Sequence, residues 1–260
     1  MAASRDVETA RLVVVVKGYP TLSQTYDEAV CVAGVRIDTS QAQWIRLYPV
    51  RFRDLEFSKR FRKYQAITLR ISSASDPRPE SRRPDTSSLA LGDVLPTDHR
   101  WAKRWEVVRP LVVESMCSIQ HQQTIYRTSL GIFKPREVID FIITPDNAPL
   151  RAGQRAVLAQ PSLFVPNKTQ LEKIPFRFSY RYRCAITNCN GHEQTIIDWE
   201  AAQAFRTFRR LYGEQEGLAR MRDKWLGEMC GPTKDTHFFV GNQHQHPLAF
   251  LVLGVFWPPV

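Results

Sequence analysis

The stretch IPFRFSYRYRC, residues 174–184, decides how the second half of the chain folds. Aromatic and basic residues alternate along it, which predicts a β-strand because successive side chains of a strand point to opposite faces. The aromatic face is expected to pack into the core, while the other face presents Arg177, Arg181 and Arg183. Same-side residues repeat every ~6.6–7 Å, close to the phosphate spacing of a nucleic-acid strand. The arginine face is therefore interpreted either as a phosphate contact or as a solvated face whose arginines pair with Asp or Glu.

A cluster of soft metal ligands follows directly at the end of this strand. Cys184 and Cys189 are separated by four residues, and His192 comes three residues later. Thiolates and an imidazole at this spacing, with Asn and Gly as turn residues between them, predict a zinc knuckle. The fourth ligand is expected to be Cys230 or His237, with His244 and His246 as further candidates. A closed four-ligand site is typical of structural zinc, whereas three ligands and a water are typical of catalytic zinc.

Two carboxylates lie downstream of the knuckle, at Asp198 and Glu200. One interpretation makes Asp198 the N-cap of a helix and puts Glu200 in its first turn, where a negative charge favours the helix dipole. The alternative interpretation is chemical. Paired carboxylates bind Mg²⁺ in nucleases, with His192 as a base.

The order strand, knuckle, strand, helix over residues 180–212 resembles the treble-clef zinc folds and the ββα-metal nucleases. The resemblance implies nucleic-acid cleavage, with a catalytic His at the start of the motif. Here Tyr182, Arg183 and Cys184 occupy that end of the strand. Cleavage is for this reason kept as an alternative to binding.

The rest of the chain alternates short strands with inserted helices. The fold class is therefore predicted as α+β, with two β-rich halves of which the second contains the strand–zinc knuckle–strand–helix unit. A proline-rich stretch without periodicity at residues 144–170 predicts a division into domains 1–150 and 151–260. RLVVVVK at residues 11–17 predicts a first strand that is buried on both faces.

The charge of the chain points to an anionic polymer. Lys and Arg number 36 against 26 Asp and Glu, a net charge of +10. Residues 51–109 carry fourteen basic and eight acidic side chains, and residues 151–224 carry thirteen and seven. Arginine accounts for 27 of the cations, and its planar fork binds phosphate bidentately. Nucleic acid is favoured over a membrane surface as the partner.

Further contacts with nucleic acid are predicted in the first half. Arg60 and Arg62 lie in the basic run KRFRK, and Trp44 and Tyr48 share one face of a predicted strand with Arg46 between them. Such an aromatic row is interpreted either as a stacking platform for bases or as a packed aromatic cluster under a loop.

Composition excludes several classes of protein. No apolar run reaches the ~20 residues needed to cross a bilayer, and five cysteines in a long chain favour a reducing, cytoplasmic compartment. The sequence thus predicts a zinc-stabilised protein that binds DNA or RNA mainly through the phosphate backbone. The alternatives are a metal-dependent nuclease using Asp198 and Glu200, and a protein-interaction subunit of a larger nucleoprotein assembly.

Overall fold

The computed structural model describes residues 6–19, 21–23, 27–146 and 173–260. Over these residues the protein is a strand-rich α+β fold with four α-helices, which confirms the predicted fold class. The predicted boundary at residue 150 lies outside the described residues and stays a prediction.

The first half forms a small closed β-barrel. Its strands are β1 (Val7–Lys17), β2 (Thr21–Ser23), β3 (Asp27–Arg36), β4 (Gln43–Val50), β5 (Gln65–Ser73) and β6 (Ser81–Val94). Strand β1 pairs with both β3 and β5, so the pairing order β1–β5–β6–β4–β3 closes on itself. Only β4 and β6 run parallel, and the other pairs of this cycle are antiparallel. Leaving aside the short β2, five strands closed in this order, with the third and fifth parallel, have the connectivity of an OB-fold.

The apolar run in β1 is buried on both faces, as the sequence predicts. Leu12 and Val14 join the apolar cluster made by the barrel strands, while Val13 and Val15 pack on the opposite side. That opposite side meets aromatic residues such as Phe256 near the C-terminus. A strand covered on both faces requires a continuous apolar sequence rather than an alternating one.

The described residues after the barrel, from residue 98 to residue 260, contain two further sheets and the four helices. The elements are α1 (Asp98–Val108), β7 (Val112–Val113), α2 (Met116–Tyr126), β8 (Leu130–Phe133), β9 (Glu137–Pro145), β10 (Phe176–Arg183), β11 (His192–Thr195), α3 (Trp199–Tyr212), α4 (Glu214–Arg222), β12 (His237–Gln243) and β13 (His246–Phe256). One sheet has the order β11–β10–β9, and the other β13–β12–β8–β7.

The aromatic face of β10 packs into the core, as its alternation predicts. Phe178, Tyr180 and Tyr182 are buried, and the Tyr180 ring stacks on Phe238 at 4.6 Å between centroids. The two buried Tyr hydroxyls of this strand are satisfied: Tyr180 donates to the carbonyl of Trp225, and Tyr182 donates to the side-chain amide oxygen of Gln194 in β11. This packing fixes the end of β10, from which the predicted knuckle starts.

Candidate metal centre and cleft

Three predicted metal ligands come together at the end of β10. Cys184 follows the last residue of this strand, Cys189 lies in the connecting loop, and His192 opens β11. Because β10 and β11 pair as an antiparallel hairpin with Tyr182 opposite His192, the loop returns the imidazole to the thiols. The ring of Tyr182 stacks on that of His192 at 5.2 Å, which holds the imidazole in place.

The fourth member of the cluster is Cys117. One ligand atom from each of Cys117, Cys184, Cys189 and His192 lies within 4.8 Å of every other. Neither residue that the sequence favoured as fourth ligand belongs to this group. The Cys230 thiol instead donates to the carbonyl of Trp225 at 3.2 Å.

The other candidate, His237, is also engaged elsewhere. Its ring lies 5.1 Å from that of Trp105, and its Nδ1 is 3.1 Å from the carbonyl oxygen of Asp235. The expectation for the fourth ligand is therefore corrected to Cys117, from a helix more than sixty residues upstream of the knuckle.

The start of α2 positions Cys117. The Ser115 hydroxyl caps this helix by accepting the backbone N–H of Ser118 at 3.0 Å, which puts Cys117 in the first turn. Backbone amides at a helix N-terminus carry partial positive charge and favour a thiolate nearby. The amides of Met116 and Cys117 act in this way on the sulfur of Cys184.

The knuckle loop also prepares Cys189 as a thiolate. The backbone N–H groups of Cys184 and Gly191 each donate to its sulfur at 3.4 Å. Gly191 has φ +92°, a conformation that favours glycine because it carries no Cβ. Burial alone raises the pKa of the Cys189 thiol, but these hydrogen bonds outweigh burial, so its pKa lies below the usual value.

The other ligands are shifted toward their neutral forms by burial. Burial raises the pKa of Cys184 to about 12 and raises that of Cys117 as well, with the nearby Cys189 adding to the second shift. Burial lowers the pKa of His192, so the imidazole is neutral at pH 7 and keeps a lone pair for a metal. A bound cation reverses the cost of ionising such thiols.

The donor set fits a tetrahedral metal ion. The Cys117 sulfur and the His192 Nε2 are 3.3 Å apart. Bond lengths of ~2.3 Å to sulfur and ~2.0–2.1 Å to nitrogen put such a pair roughly 3.6 Å apart in a tetrahedron. Three thiols and one imidazole with their ligand atoms within 4.8 Å of one another can hold a metal ion, and the donors are those that zinc favours in closed, structural sites.

The two carboxylates predicted as Mg²⁺ ligands lie in a different cluster, in which Asp198 is buried and Glu200 is exposed. Asp198 caps α3 by accepting the N–H of Glu200 at 2.9 Å, which agrees with the capping interpretation. The ammonium group of Lys63 lies 3.6 Å from Asp198 and 3.7 Å from Glu200. A side-chain cation thus already occupies the place between these carboxylates, which argues against their use as a Mg²⁺ site.

Burial dominates the electrostatics of this second cluster. Loss of solvent raises the pKa of Asp198 to about 6, although Lys63 opposes the shift. The two carboxylates raise the pKa of Lys63 above its usual range despite its burial. At neutral pH the group is therefore an ion pair between an ammonium and carboxylates.

The arginine face of β10 is partly neutralised. Arg181 lies 3.4 Å from Asp140 on the neighbouring strand β9, and Arg222 shares this carboxylate at 2.6 Å. For Arg181 this matches the interpretation in which the arginines pair with Asp or Glu, because the pairing of β9 with β10 supplies Asp140. Arg177 and Arg183 are exposed and, among the described residues, have no ion pair.

The candidates of the first half differ in exposure. Arg60 and Arg62 are exposed, and Arg60 donates to the carbonyls of Leu55 and Arg53. Trp44 is half-buried, with its ring 6.2 Å from Phe239 in an edge-to-face contact. This contact matches a packed aromatic cluster rather than an open stacking platform.

Tyr48 instead lines a cleft of about 740 Å³ on the β3–β4 face of the barrel. Among the lining residues are Cys31, Arg46, Tyr48, Arg78, Arg83 and Asn242. The connection between β5 and β6 forms one wall and the β12–β13 hairpin another. The cleft has the size of a small-molecule site, and it lies where OB-folds bind their ligands, on the face of barrel strands 2 and 3 beside the connection between strands 4 and 5.

Sequence reasoning missed Cys117 and the cleft for different reasons. The capping serine before Cys117 in ESMCS, residues 114–118, is a local signal for a helix start. Nothing local connects that helix with the knuckle. The cleft joins segments near residues 31, 46, 76 and 242, which only the closure of the barrel brings together.

Comparisons with known proteins give two family matches. A family model described as "Domain of unknown function (DUF8758)" matches residues 8–110, and one described as "Domain of unknown function (DUF8757)" matches residues 112–260. The two matches meet beside β7, whereas the sequence predicted a division at residue 150. A comparison with curated proteins finds no match. None of the helices in the described part of the chain is long and apolar enough to span a membrane.

Two solved structures resemble the chain over almost its whole length. A murine DNA-binding protein bound with double-stranded DNA is 10% identical with a TM-score of 0.31, covering 97% of this chain and 95% of that one. The p204 HINb domain is 8% identical with a TM-score of 0.30, covering 100% of both chains. Likenesses this weak carry no argument about function. The DUF8757 model covers more than half of the chain, and the protein therefore belongs to that family of domains of unknown function.

Proposed function

We propose that this protein binds single-stranded nucleic acid in the cleft on the β3–β4 face of its barrel, with a structural zinc ion held by the three cysteines and the histidine of the metal cluster. The observation that carries the proposal is the basic, tyrosine-lined cleft on this face. A fold alone does not determine function, so the argument rests on the side chains of the cleft.

The cleft has the charge and the surface for a strand of nucleic acid. Its lining includes three guanidinium groups, from Arg46, Arg78 and Arg83, against the single carboxylate of Asp76. Tyr48 adds an aromatic ring, and base–aromatic stacking contributes ~1–3 kcal/mol per base without regard to sequence. Combined with a net charge of +10, these groups favour an anionic polymer with flat bases.

Exposed arginines outside the cleft supply backbone contacts in this proposal. Arg62, Arg177 and Arg183 are exposed, and none has an ion pair among the described residues. Arg60 contributes less because backbone carbonyls already hold its guanidinium group. Arg181 contributes less because Asp140 neutralises it.

Zinc has a structural role in this proposal. Four protein ligands leave no open position for a substrate or water, which is typical of structural sites. The ion would join the start of α2 to the end of β10, directly beside the exposed Arg183. Cys184 is fully buried at the metal cluster, and because neighbouring side chains of an extended chain point to opposite faces, Arg183 points to the surface.

Fluorescence anisotropy with labelled single-stranded DNA and RNA tests the proposal. Neutralising about four to six phosphates predicts a log–log salt slope of roughly −3 to −5. Tyr48→Leu should weaken binding by roughly five- to hundredfold, the loss of one stacked base. The double variant Arg177→Ser/Arg183→Ser should flatten the slope by about two.

The double variant Arg100→Ser/Arg109→Ser is the matched control, because it removes two exposed arginines of the α1 region. It should lower affinity less than the β10 pair does. Binding that does not change with salt, or that is equally sensitive to both pairs and insensitive to Tyr48→Leu, would contradict the proposal.

A further inference from the structure

Arg46 is the most deeply buried cation in the cleft, with 3% of its surface exposed. Its Nη2 donates to the carbonyl of Ser129 at 2.8 Å and lies 3.0 Å from the hydroxyl of the same residue. Its Nη1 lies 3.2 Å from the sulfur of Cys31, a weak acceptor. Its Nε is buried and has no hydrogen-bond partner among the described residues.

No carboxylate contacts this guanidinium group directly, and Glu80 reaches it only through the hydroxyl of Ser129. Among the ion pairs of the described residues none includes Arg46; Glu80 instead binds Ser129, through both its backbone N–H and its hydroxyl. The Glu80 contacts therefore orient Ser129, which in turn orients Nη2. Because the contact with Glu80 is indirect and Nε has no partner, the positive charge is only partly compensated, and an anion in the cleft would complete the site.

The rim of the cleft offers a second guanidinium group. Arg83 lines the cleft, is exposed and has no ion pair within the described part of the chain. Arg78 is less available, since Asp76 and the carbonyl of Asn242 hold its guanidinium group. One buried and one exposed arginine at the same cavity suit an anion with up to two negative charges.

We propose that the cleft binds the terminal phosphate of a nucleotide chain, with Arg46 as the buried anchor and Arg83 at the rim. The inference rests on the proposed function, since it names the part of the nucleic acid that the cleft selects. A terminal phosphate monoester carries about −1.5 to −2 charges at pH 7, whereas an internal phosphodiester carries one.

The shape of the cleft favours a chain end over a continuous strand. Residues of the β12–β13 hairpin, including Gly241 and Asn242, line the cleft together with Arg46. A methyl group added at Gly241 would come within 3.3 Å of Nη2 of Arg46, so the hairpin backbone closes the space beside the anchor. A terminal phosphate has a nucleotide on one side only and can reach such an anchor, whereas an internal phosphate would need room for the chain on both sides.

Binding of matched oligonucleotides tests this inference on the full-length protein. Single-stranded DNA and RNA of one sequence are compared with a 5′-phosphate, with a 3′-phosphate and with hydroxyls at both ends, and AMP serves as the competitor. One phosphorylated end should bind at least about tenfold more tightly than the hydroxyl form, and AMP should displace it more effectively than adenosine does.

The outcomes separate the two proposals. Equal affinity for phosphorylated and unphosphorylated strands overturns the terminal-phosphate inference and leaves nucleic-acid binding in place. Binding of AMP but of no oligonucleotide overturns the proposed function and retains the phosphate anchor. Binding of neither overturns both.

Variants assign the effect to the cleft. Arg46→Lys keeps the charge but loses the fork, and it should abolish the preference for a phosphorylated end. Arg83→Ser, at an exposed residue without a packing role, should reduce that preference by roughly threefold or more, while Arg100→Ser should leave it unchanged. If Arg46→Lys fails to fold, the Arg83→Ser result decides, and an unchanged preference in that variant overturns the inference.

Discussion

Two clusters of ionisable side chains in this protein both have the composition of a metal site in the sequence, but in the structure only one of them lacks a positive charge of its own. The cluster of three cysteines and His192 holds only donor atoms. The cluster of Asp198 and Glu200 holds donor atoms and a cation, the ammonium group of Lys63. The first can hold a metal ion, whereas the second already has its positive charge.

The difference shows that the spacing of two carboxylates in a sequence does not by itself identify a Mg²⁺ site. Asp198 and Glu200 have a spacing that is compatible with Mg²⁺ binding, but Lys63 comes from a segment far away in the chain. A lysine that is 9% exposed requires counter-charges, and those carboxylates supply them. The thiols and the imidazole have no such partner among the described residues, so a metal ion remains the means of stabilising them as a group.

The largest expected effect is loss of the metal ion. Cys189→Ser removes one of four ligands, so metal content should fall from about one ion per chain to a small fraction. The melting temperature should fall by roughly 10 °C or more as several kcal/mol of binding free energy are lost. Elemental analysis and calorimetry measure both quantities.

Cys230→Ser is the matched control, because this thiol donates to the carbonyl of Trp225 and does not belong to the cluster. It should keep the full metal content. If both variants keep their metal, or if the wild-type protein contains none, the metal centre is not formed by these residues.

The next largest effect is expected at the second cluster. Lys63→Met removes the cation that contacts the buried Asp198 and leaves only the weaker influence of Lys17, and breaking a buried ion pair costs about 3–5 kcal/mol. Urea denaturation at pH 7 measures this loss, with Lys103→Met as an exposed control that should change stability little. If Lys63→Met loses no more unfolding free energy than the control does, the ion pair makes no net contribution to stability. Metal content should not change in either variant.

The pH dependence of stability gives a third, smaller test. Burial raises the pKa of Asp198 from the usual 3.8 to about 6, so between these values the folded protein retains a proton that the unfolded chain has released. The contribution of protonated Asp198 to the free energy of unfolding is complete below pH 3.8. It is lost as the pH rises to about 6, which lowers the free energy of unfolding by up to about 3 kcal/mol.

Asp198→Asn does not titrate at this position, and its N-cap oxygen is retained. The unfolding free energy of the wild type should therefore fall relative to that of the variant across this window. A rise instead would mean that Lys63 outweighs burial and lowers the pKa of Asp198.

The smallest effect is expected at Glu200. Its carboxylate is 3.7 Å from the ammonium group of Lys63, but 47% of the side chain is exposed. Solvent screens such a pair, so Glu200→Gln should cost less than about 1 kcal/mol in urea denaturation. A loss as large as that of Lys63→Met would make Glu200, and not Asp198, the main partner of the lysine.

Local patterns predicted the elements around both clusters. The alternation in residues 174–184 predicted β10 and its buried aromatic face, and the turn residues after Cys184 predicted the loop that returns His192. Asp198 before an amphipathic segment predicted the N-cap of α3. These features depend on neighbours within a few residues, which is why the sequence reveals them.

Long-range partners escaped prediction. The carboxylate of Asp140 reaches Arg181 only because β9 pairs with β10 in that register. Arg46 belonged to a predicted strand face with Trp44 and Tyr48, but its burial in a cleft depends on the hairpin around Gly241. Such contacts follow from how sheets are paired and stacked, and a single sequence holds no local signal for them.

The sequence by itself determined the α+β class, the strand that carries alternating aromatic and basic residues, the excess of arginine, and three of the four clustered metal ligands. Each of these follows from side-chain periodicity, composition or short spacing. Only the tertiary structure decided that Cys117 completes the cluster, that Lys63 neutralises the carboxylates, and that the first half closes into a barrel with a basic cleft. Those outcomes depend on which distant segments are buried against one another. Once buried, a charged side chain needs an opposite charge, which is a lysine for the carboxylates, a metal ion for the thiolates and an anionic ligand for Arg46.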